Sequence, residues 1–268
     1  MITKDQYLES LYLAGLKKND NVLVHSELSL FGKPDTKANK NAILDFYYNN
    51  IKDIIGEKGT IITPTFTGKH YVKLNLPFDI KNTQSELGGF SEYLRRKKKS
   101  IRSIHPIVSL CAIGENADYI CGGNHFDGYS YDSPWGKLLN LNAKILTLGY
   151  GIHPNGMSVI HFLENLIGMP YLYNKLFKNE VYSGKKKING IFTMSVRYLE
   201  YGIENDQSKF KALLVKEKKA KVIELGRGKI FSTTFKNVFE VGMNALAKDR
   251  YMLLKRNPNF KPNQKPLI

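Results

Sequence analysis

Short apolar runs alternate along this chain with longer stretches in which apolar positions recur every three or four residues. The short runs predict buried strands, and the longer stretches predict amphipathic helices. Residues 3–16 predict a helix capped by Thr3, with Tyr7, Leu8, Leu11 and Leu13 on its apolar side. Asn21–His25 predicts a strand, and Ser26–Gly32 a polar loop at its tip. A helix over 39–55 and a strand over Thr60–Pro64 follow, joined by a turn at Gly56–Gly59. Residues 68–91 lack periodicity and predict a folded loop, ahead of a helix over 88–97. Further strands are predicted over Ile107–Gly114 and Lys144–Gly149, with a short helix opening at Ser133-Pro134 between them. After a turn rich in Gly, Pro and Asn, a helix carries Ser158, His161 and Glu164. Tyr171–Tyr201 predicts a polar, lysine-rich hairpin region turning at Lys185-Lys186-Lys187 and Asn189-Gly190. A helix over 205–218, strands over Val222–Leu225 and Ile230–Thr234, a helix over 236–255 and a polar tail complete the chain. The alternation predicts an α/β fold: one compact domain over 1–268, with a central mixed sheet flanked by helices and a C-terminal subregion.

Composition narrows the function classes. No apolar run reaches the roughly 18 residues of a membrane span, and no secretory leader is evident, so a cytoplasmic protein is expected. Two cysteines, Cys111 and Cys121, build no disulfide framework, and no Cys/His spacing suggests a metal site. The net charge is +16, and it is unevenly spread. Residues 1–174 hold 19 Lys and Arg against 16 Asp and Glu, whereas residues 175–268 hold 21 against 8. The C-terminal third therefore favours anionic partners.

The stretch Leu148–Glu164 concentrates the candidate chemistry. Ser158, His161 and Glu164 lie at i, i+3 and i+6, close to one helix face. An imidazole of ordinary pKa, about 6.5, takes a proton near neutrality, and Glu164 can orient it. The same pattern also reads as a histidine packed on the core with Glu164 on the wet side. His105 precedes Pro106 and is expected on a rigid extended segment. The run Arg95-Arg96-Lys97-Lys98-Lys99 reads as a solvated helix end or a phosphate contact.

Six motifs occur in order: Val24-His25-Ser26-x-Leu28-Ser29-x-Phe31-Gly32; Pro64-Thr65-Phe66-Thr67; Pro77-Phe78-Asp79 with Asn82-Thr83; Arg102-Ser103-x-His105-Pro106 with Ser109; Ser133-Pro134-x-Gly136-x-Leu138; and Leu148-Gly149-x-Gly151 leading to Ser158-x-x-His161-x-x-Glu164. Together they resemble the aminoglycoside 3-N-acetyltransferase family, the antibiotic N-acetyltransferase fold, which is distinct from the GNAT acetyltransferases. The resemblance covers nearly the whole chain and includes Gly228-Lys229-Ile230-Phe231 to Val241. It implies transfer of acetyl from acetyl-CoA to a primary amine on a sugar ring. Direct transfer is expected, because Cys111 lies in a predicted buried strand, where a raised pKa makes a thiol inert. The resemblance implies His161 as general base, with Glu164 orienting it or binding the amine and Ser158 beside it. His25, Ser26, Leu28, Ser29, Gly32, Arg102, Ser103 and His105 are implied on the CoA side, and Thr65, Asp79 and Thr83 on the acceptor side. Ser158 stands where the family usually has Thr, and Ile152–Met157 replaces a loop that is usually rich in Asp and Asn.

The basic C-terminal third argues against a polycationic acceptor, so a nucleotide-linked amino sugar for surface polysaccharide is the expected acceptor. A true aminoglycoside resistance enzyme is the alternative. A donor with a longer acyl chain is a further one. A nucleic-acid-binding protein is disfavoured, because aromatics do not interleave with the basic runs. The reading leaves room for a homo-oligomer.

Overall fold

The strands alternate inward positions between two faces, and each face has its own helical cover. On β1, Leu23 points into one core while Val22 and Val24 point into the other. Ile62 and Ile61 divide in the same way, as do Ile145 and Leu146. A period of two with apolar residues on both faces is what a doubly covered sheet requires. The computed structural model describes residues 1–258, except the side chains of Lys69 and Glu200.

In chain order the elements are α1 (Lys4–Leu13), β1 (Asn21–Ser26), α2 (Lys40–Ile55), β2 (Thr60–Pro64), α3 (Lys69–Leu74), β3 (Phe78–Asp79), α4 (Gly89–Arg96), β4 (Ile101–Arg102), β5 (Leu110–Gly114), α5 (Ala117–Cys121), α6 (Pro134–Asn140), β6 (Lys144–Gly149), α7 (Val159–Ile167), β7 (Leu172–Phe177), β8 (Val181–Ser183), β9 (Lys186–Ile188), β10 (Phe192–Arg197), α8 (Ser208–Lys216), β11 (Ala220–Leu225), β12 (Gly228–Thr234) and α9 (Phe235–Lys248). The central sheet has seven strands in the order β11-β12-β6-β1-β2-β5-β4. β1 runs parallel to β2 and β6, and the remaining pairs are antiparallel. The expected mixed α/β architecture is therefore present. Tyr7, Leu11, Tyr47 and Phe90 from α1, α2 and α4 cover one face. Trp135, Phe162, Phe210 and Val241 from α6, α7, α8 and α9 cover the other.

The chain leaves β1 for β2 on one side and returns to β6 on the other. The carboxyl ends of β1 and β6 thus flank a switch point, where open α/β sheets form their crevices. The register sets His25 opposite Thr147 and Ser26 opposite Leu148. Gly149, at φ +95°, ends β6 there, and a Cβ at this position would lie 2.3 Å from the Glu27 carbonyl oxygen. Only glycine fits this approach.

Several local expectations need correction. Leu13 is exposed, because α1 buries Tyr7, Ser10 and Leu11 instead. The supposed loop 68–91 contains α3 and β3. The single hairpin region is two small sheets, β10-β7 and β3-β8-β9. Its tight turn falls at Gly184, φ +61°, while Asn189-Gly190 only links β9 to β10. α9 stops at Lys248 rather than 255, and the end of the predicted tail, 259–268, lies outside the described residues. Among the described residues no helix is long and apolar enough to cross a membrane.

Candidate active site

α7 follows β6 across the turn 150–158 and carries two of the three candidate residues into a cavity of about 190 Å³. Its sequence VIHFLENLI buries Val159, Ile160, Phe162 and Leu163 against the sheet, which leaves His161 on the rim. The side chain of His161 is 25% exposed and that of Glu164 only 1%. This reverses the bland sequence reading, in which the histidine packs inward and the carboxylate faces water. His161 Nδ1–H donates to Glu164 Oε2 at 2.8 Å. The Tyr171 hydroxyl donates to Glu164 Oε1, also at 2.8 Å. Both carboxylate oxygens are thus engaged by buried or half-buried donors, as a buried charge requires. With Nδ1 so fixed, the other ring nitrogen, Nε2, is left to act on a ligand. Burial next to Glu164 pushes the Tyr171 phenol far up, so Tyr171 remains a donor.

Tyr129, Leu172, Met194 and Arg197 complete the cavity wall with their neighbours on β10. The Tyr129 ring lies 5.8 Å from the His161 ring. Asn165 ties the wall to the helix: its Nδ2 donates to the Tyr129 carbonyl at 3.0 Å, and its Oδ1 accepts from the Ser195 hydroxyl.

Ser158 is the N-cap of α7, yet its hydroxyl makes no capping bond. Its backbone N–H instead donates to His25 Nε2 at 3.1 Å. Burial, then Lys211, then His161 lower the His25 pKa to about 3, so the ring is a neutral acceptor. His25 therefore anchors the start of α7. Lys211 secures the preceding turn: its buried ammonium donates to the carbonyls of His153, at 3.0 Å, and Asn155, at 2.6 Å. Burial lowers the Lys211 pKa to about 7.

Ser26, Leu28 and Ser29 line a separate cavity of about 440 Å³, together with the starts of α2 and α4. Gly32, at φ +98°, closes the short 3₁₀ turn Leu28–Phe31.

The remaining candidates are held by hydrogen bonds within the protein. The Arg102 guanidinium is buried and donates to the carbonyls of Thr65 at 2.6 Å and Thr83 at 2.5 Å. Its Nε reaches the hydroxyls of Thr65, at 3.1 Å, and Ser109, at 3.0 Å. Burial lowers its pKa to about 10, which leaves it charged at neutrality. The Ser103 hydroxyl accepts from the Leu110 N–H at 2.9 Å. His105 Nδ1 accepts from the N–H groups of Ile107 and Val108, and its Nε2–H donates to the Thr193 carbonyl at 3.0 Å. His105 is fully enclosed, and burial lowers its pKa to about 3. The Thr83 hydroxyl accepts from the Asp79 N–H, while Asp79 Oδ1 accepts from the N–H groups of Lys81 and Asn82. Arg102, Ser103, His105, Thr65, Asp79 and Thr83 therefore fasten three loops together, and none of them lines the His161 cavity.

No group of three or more His, Cys, Asp or Glu among the described residues is placed to hold a metal ion. Both cysteines are buried, and burial raises the Cys111 thiol to about 11 and the Cys121 thiol well above its usual value.

The profile of the family described as aminoglycoside 3-N-acetyltransferase matches residues 23–247. The chain belongs to this family. Aminoglycoside N(3)-acetyltransferase VII of Streptomyces paromomycinus is 24% identical over 191 residues, 63% of this family member and 62% of the relative. The family member thus spans a little under two thirds of that curated relative. Its fold is also that of two solved structures. Aminoglycoside acetyltransferase AAC(3)-Xa superposes with a TM-score of 0.77 at 18% identity, over 92% of this chain and 93% of that one. AAC-IIIb in binary complex with CoASH superposes with a TM-score of 0.75 at 19% identity, over 96% and 99%.

Proposed function

We propose that this chain transfers an acetyl group from acetyl-CoA to a primary amine of an amino sugar, with His161 as general base. The observation that carries this reading is the hydrogen-bonded chain Tyr171–Glu164–His161, which ends at an open cavity. An amine is mostly ammonium at neutral pH and attacks a carbonyl only after losing a proton. His161 Nε2 accepts that proton, and Glu164 stabilises the imidazolium that forms. Tyr171 holds the carboxylate in place. The imidazolium passes that first proton to solvent. The freed nitrogen then bonds to the thioester carbonyl carbon, His161 takes the second proton from it, and as the C–S bond breaks His161 gives that proton to the leaving sulfur. The half-buried Ser158 hydroxyl is the protein donor for the developing oxyanion. A positioned base contributes roughly 10²–10⁴-fold, and one oxyanion donor roughly 10²–10³-fold. The buried thiols, with their raised pKa values, argue for direct transfer rather than an acyl-cysteine. We assign the cavity at Ser26, Leu28 and Ser29, beside the switch point, to the CoA arm.

Two acceptor classes follow from different observations. The names of the relatives support an aminoglycoside. The basic C-terminal third alone supports a nucleotide-linked amino sugar for surface polysaccharide. The test is CoA thiol release from acetyl-CoA against panels of both classes. His161→Ala is expected to lower kcat by roughly 10²–10⁴-fold on whichever panel responds. An unchanged kcat would remove His161 from the mechanism.

A further inference from the structure

We propose that Arg197 selects the acceptor: its guanidinium receives an anionic group, carboxylate or phosphate, carried by the amino sugar whose amine meets His161. This assignment rests on the amine-acetylation reading and extends it to the substrate's charge.

Arg197 is the last residue of β10 and pairs with Leu172 of β7, so the two small strands present both residues to the His161 cavity. Its Nη1 is buried and has no hydrogen-bond partner among the described residues. Two cations that are buried as whole residues are treated differently. Arg102 distributes its donors over carbonyls and hydroxyls of three loops. Lys211 caps two carbonyls. Each is matched by the fold, whereas a buried guanidinium donor on Arg197 is left unmet, which is costly in a native interior. The carboxylate in the same cavity does not meet it. Glu164 has one oxygen on His161 and the other on Tyr171, and no ion pair to Arg197 occurs among the described residues. Among the described residues no acceptor meets this donor, and a ligand can supply the missing partner.

A planar guanidinium suits carboxylate and phosphate, to which it offers charge-assisted bonds in a matched geometry. An acceptor carrying several ammonium groups would meet repulsion at this wall, while an anion-bearing sugar would be held with its amine toward His161.

The experiment compares wild type with Arg197→Ala and Arg197→Lys on four acceptors. Glucosamine 6-phosphate carries a phosphate on the ring, UDP-glucosamine a nucleotide diphosphate, and glucosaminuronic acid a carboxylate. Glucosamine carries no anion. Steady-state KM and kcat are measured with acetyl-CoA, and binding of each sugar is measured separately by calorimetry. Arg197→Ala is expected to weaken at least one anion-bearing sugar tenfold or more, through KM and Kd, while glucosamine shifts by less than twofold. Arg197→Lys should recover part of the loss, and the sugar most affected identifies the source of the anion. Equal effects on charged and uncharged sugars, no effect on any, or no binding of anion-bearing sugars by wild type would overturn the assignment. Selective binding without turnover would uphold Arg197 and remove the transfer reading. Turnover indifferent to Arg197→Ala would do the opposite.

Discussion

Glu164 shows how two donors fix one residue's role. With His161 on one oxygen and Tyr171 on the other, the carboxylate is held where it can orient the proposed base. Tyr171→Phe should therefore leave one buried carboxylate oxygen unmet. The expected result is a loss of roughly 1–3 kcal/mol in urea unfolding, since an unsatisfied buried acceptor costs about that much. An unchanged unfolding midpoint would mean that water replaces the phenol. The pairing of His161 with Glu164 is legible in the sequence, because a three-residue spacing on a helix puts side chains together. Tyr171 is not legible. Gly168, at φ +68°, ends α7 and turns the chain back, and no periodicity crosses that turn. Arg197 is hidden for a related reason: it reaches the cavity only through pairing of β10 with β7, a contact 25 residues apart in register.

At the scale of elements, strand and helix order could be read from the apolar pattern, while the purpose of the loops could not. Thr65, Arg102, Ser103 and Ser109 look alike in sequence whether they bind a ligand or satisfy buried backbone. Here Thr65, Arg102 and Ser109 satisfy one another and the carbonyls of Thr65, Thr83 and Ser109, while the Ser103 hydroxyl accepts from the Leu110 N–H. A hydroxyl-rich motif becomes a ligand site only if its donors remain free, and that is decided by packing. The small sheets were misread because Lys186 and Lys187 are exposed strand residues, and an edge strand shows little alternation. The junction between β6 and α7 is the element boundary most sensitive to change. Gly149→Ala would place a methyl 2.3 Å from the Glu27 carbonyl at a φ of +95°. A destabilisation of about 1–3 kcal/mol is expected from the strained backbone, measured by urea unfolding. A wild-type midpoint would show that the β1 tip can retreat.

For the whole molecule, buried bases set the response to pH. His25 and His105 titrate at about 3 and His125 at about 4 when folded, against about 6.5 when exposed. Between pH 6.5 and 3 the unfolded chain binds more protons, so stability is full above about 6.5 and falls as pH drops through that window. Lys211 acts at the other end with the same sign. Its pKa is about 7 when folded against about 10.5 when exposed, so stability rises from about pH 7 upward. Urea midpoints should climb from pH 4.5 to pH 9, and Lys211→Met should flatten only the part above 7. A midpoint independent of pH would show that these side chains gain access to water. Family membership and the mixed sheet agree with the reading from ordered motifs, since six short patterns in the right order constrain a fold more than any one of them. The sheet order also has a consequence for biosynthesis. β6, which delivers the reactive helix, lies between β1 and β12, and β12 is Gly228–Thr234. A ribosome that has released residues up to α7 has therefore made a strand with one bare edge, and that edge stays bare until β12 follows some sixty residues later. During that interval the nascent chain is an open template for other strands. Fragments ending before β12 should associate through β6, whereas fragments ending after α9 should not.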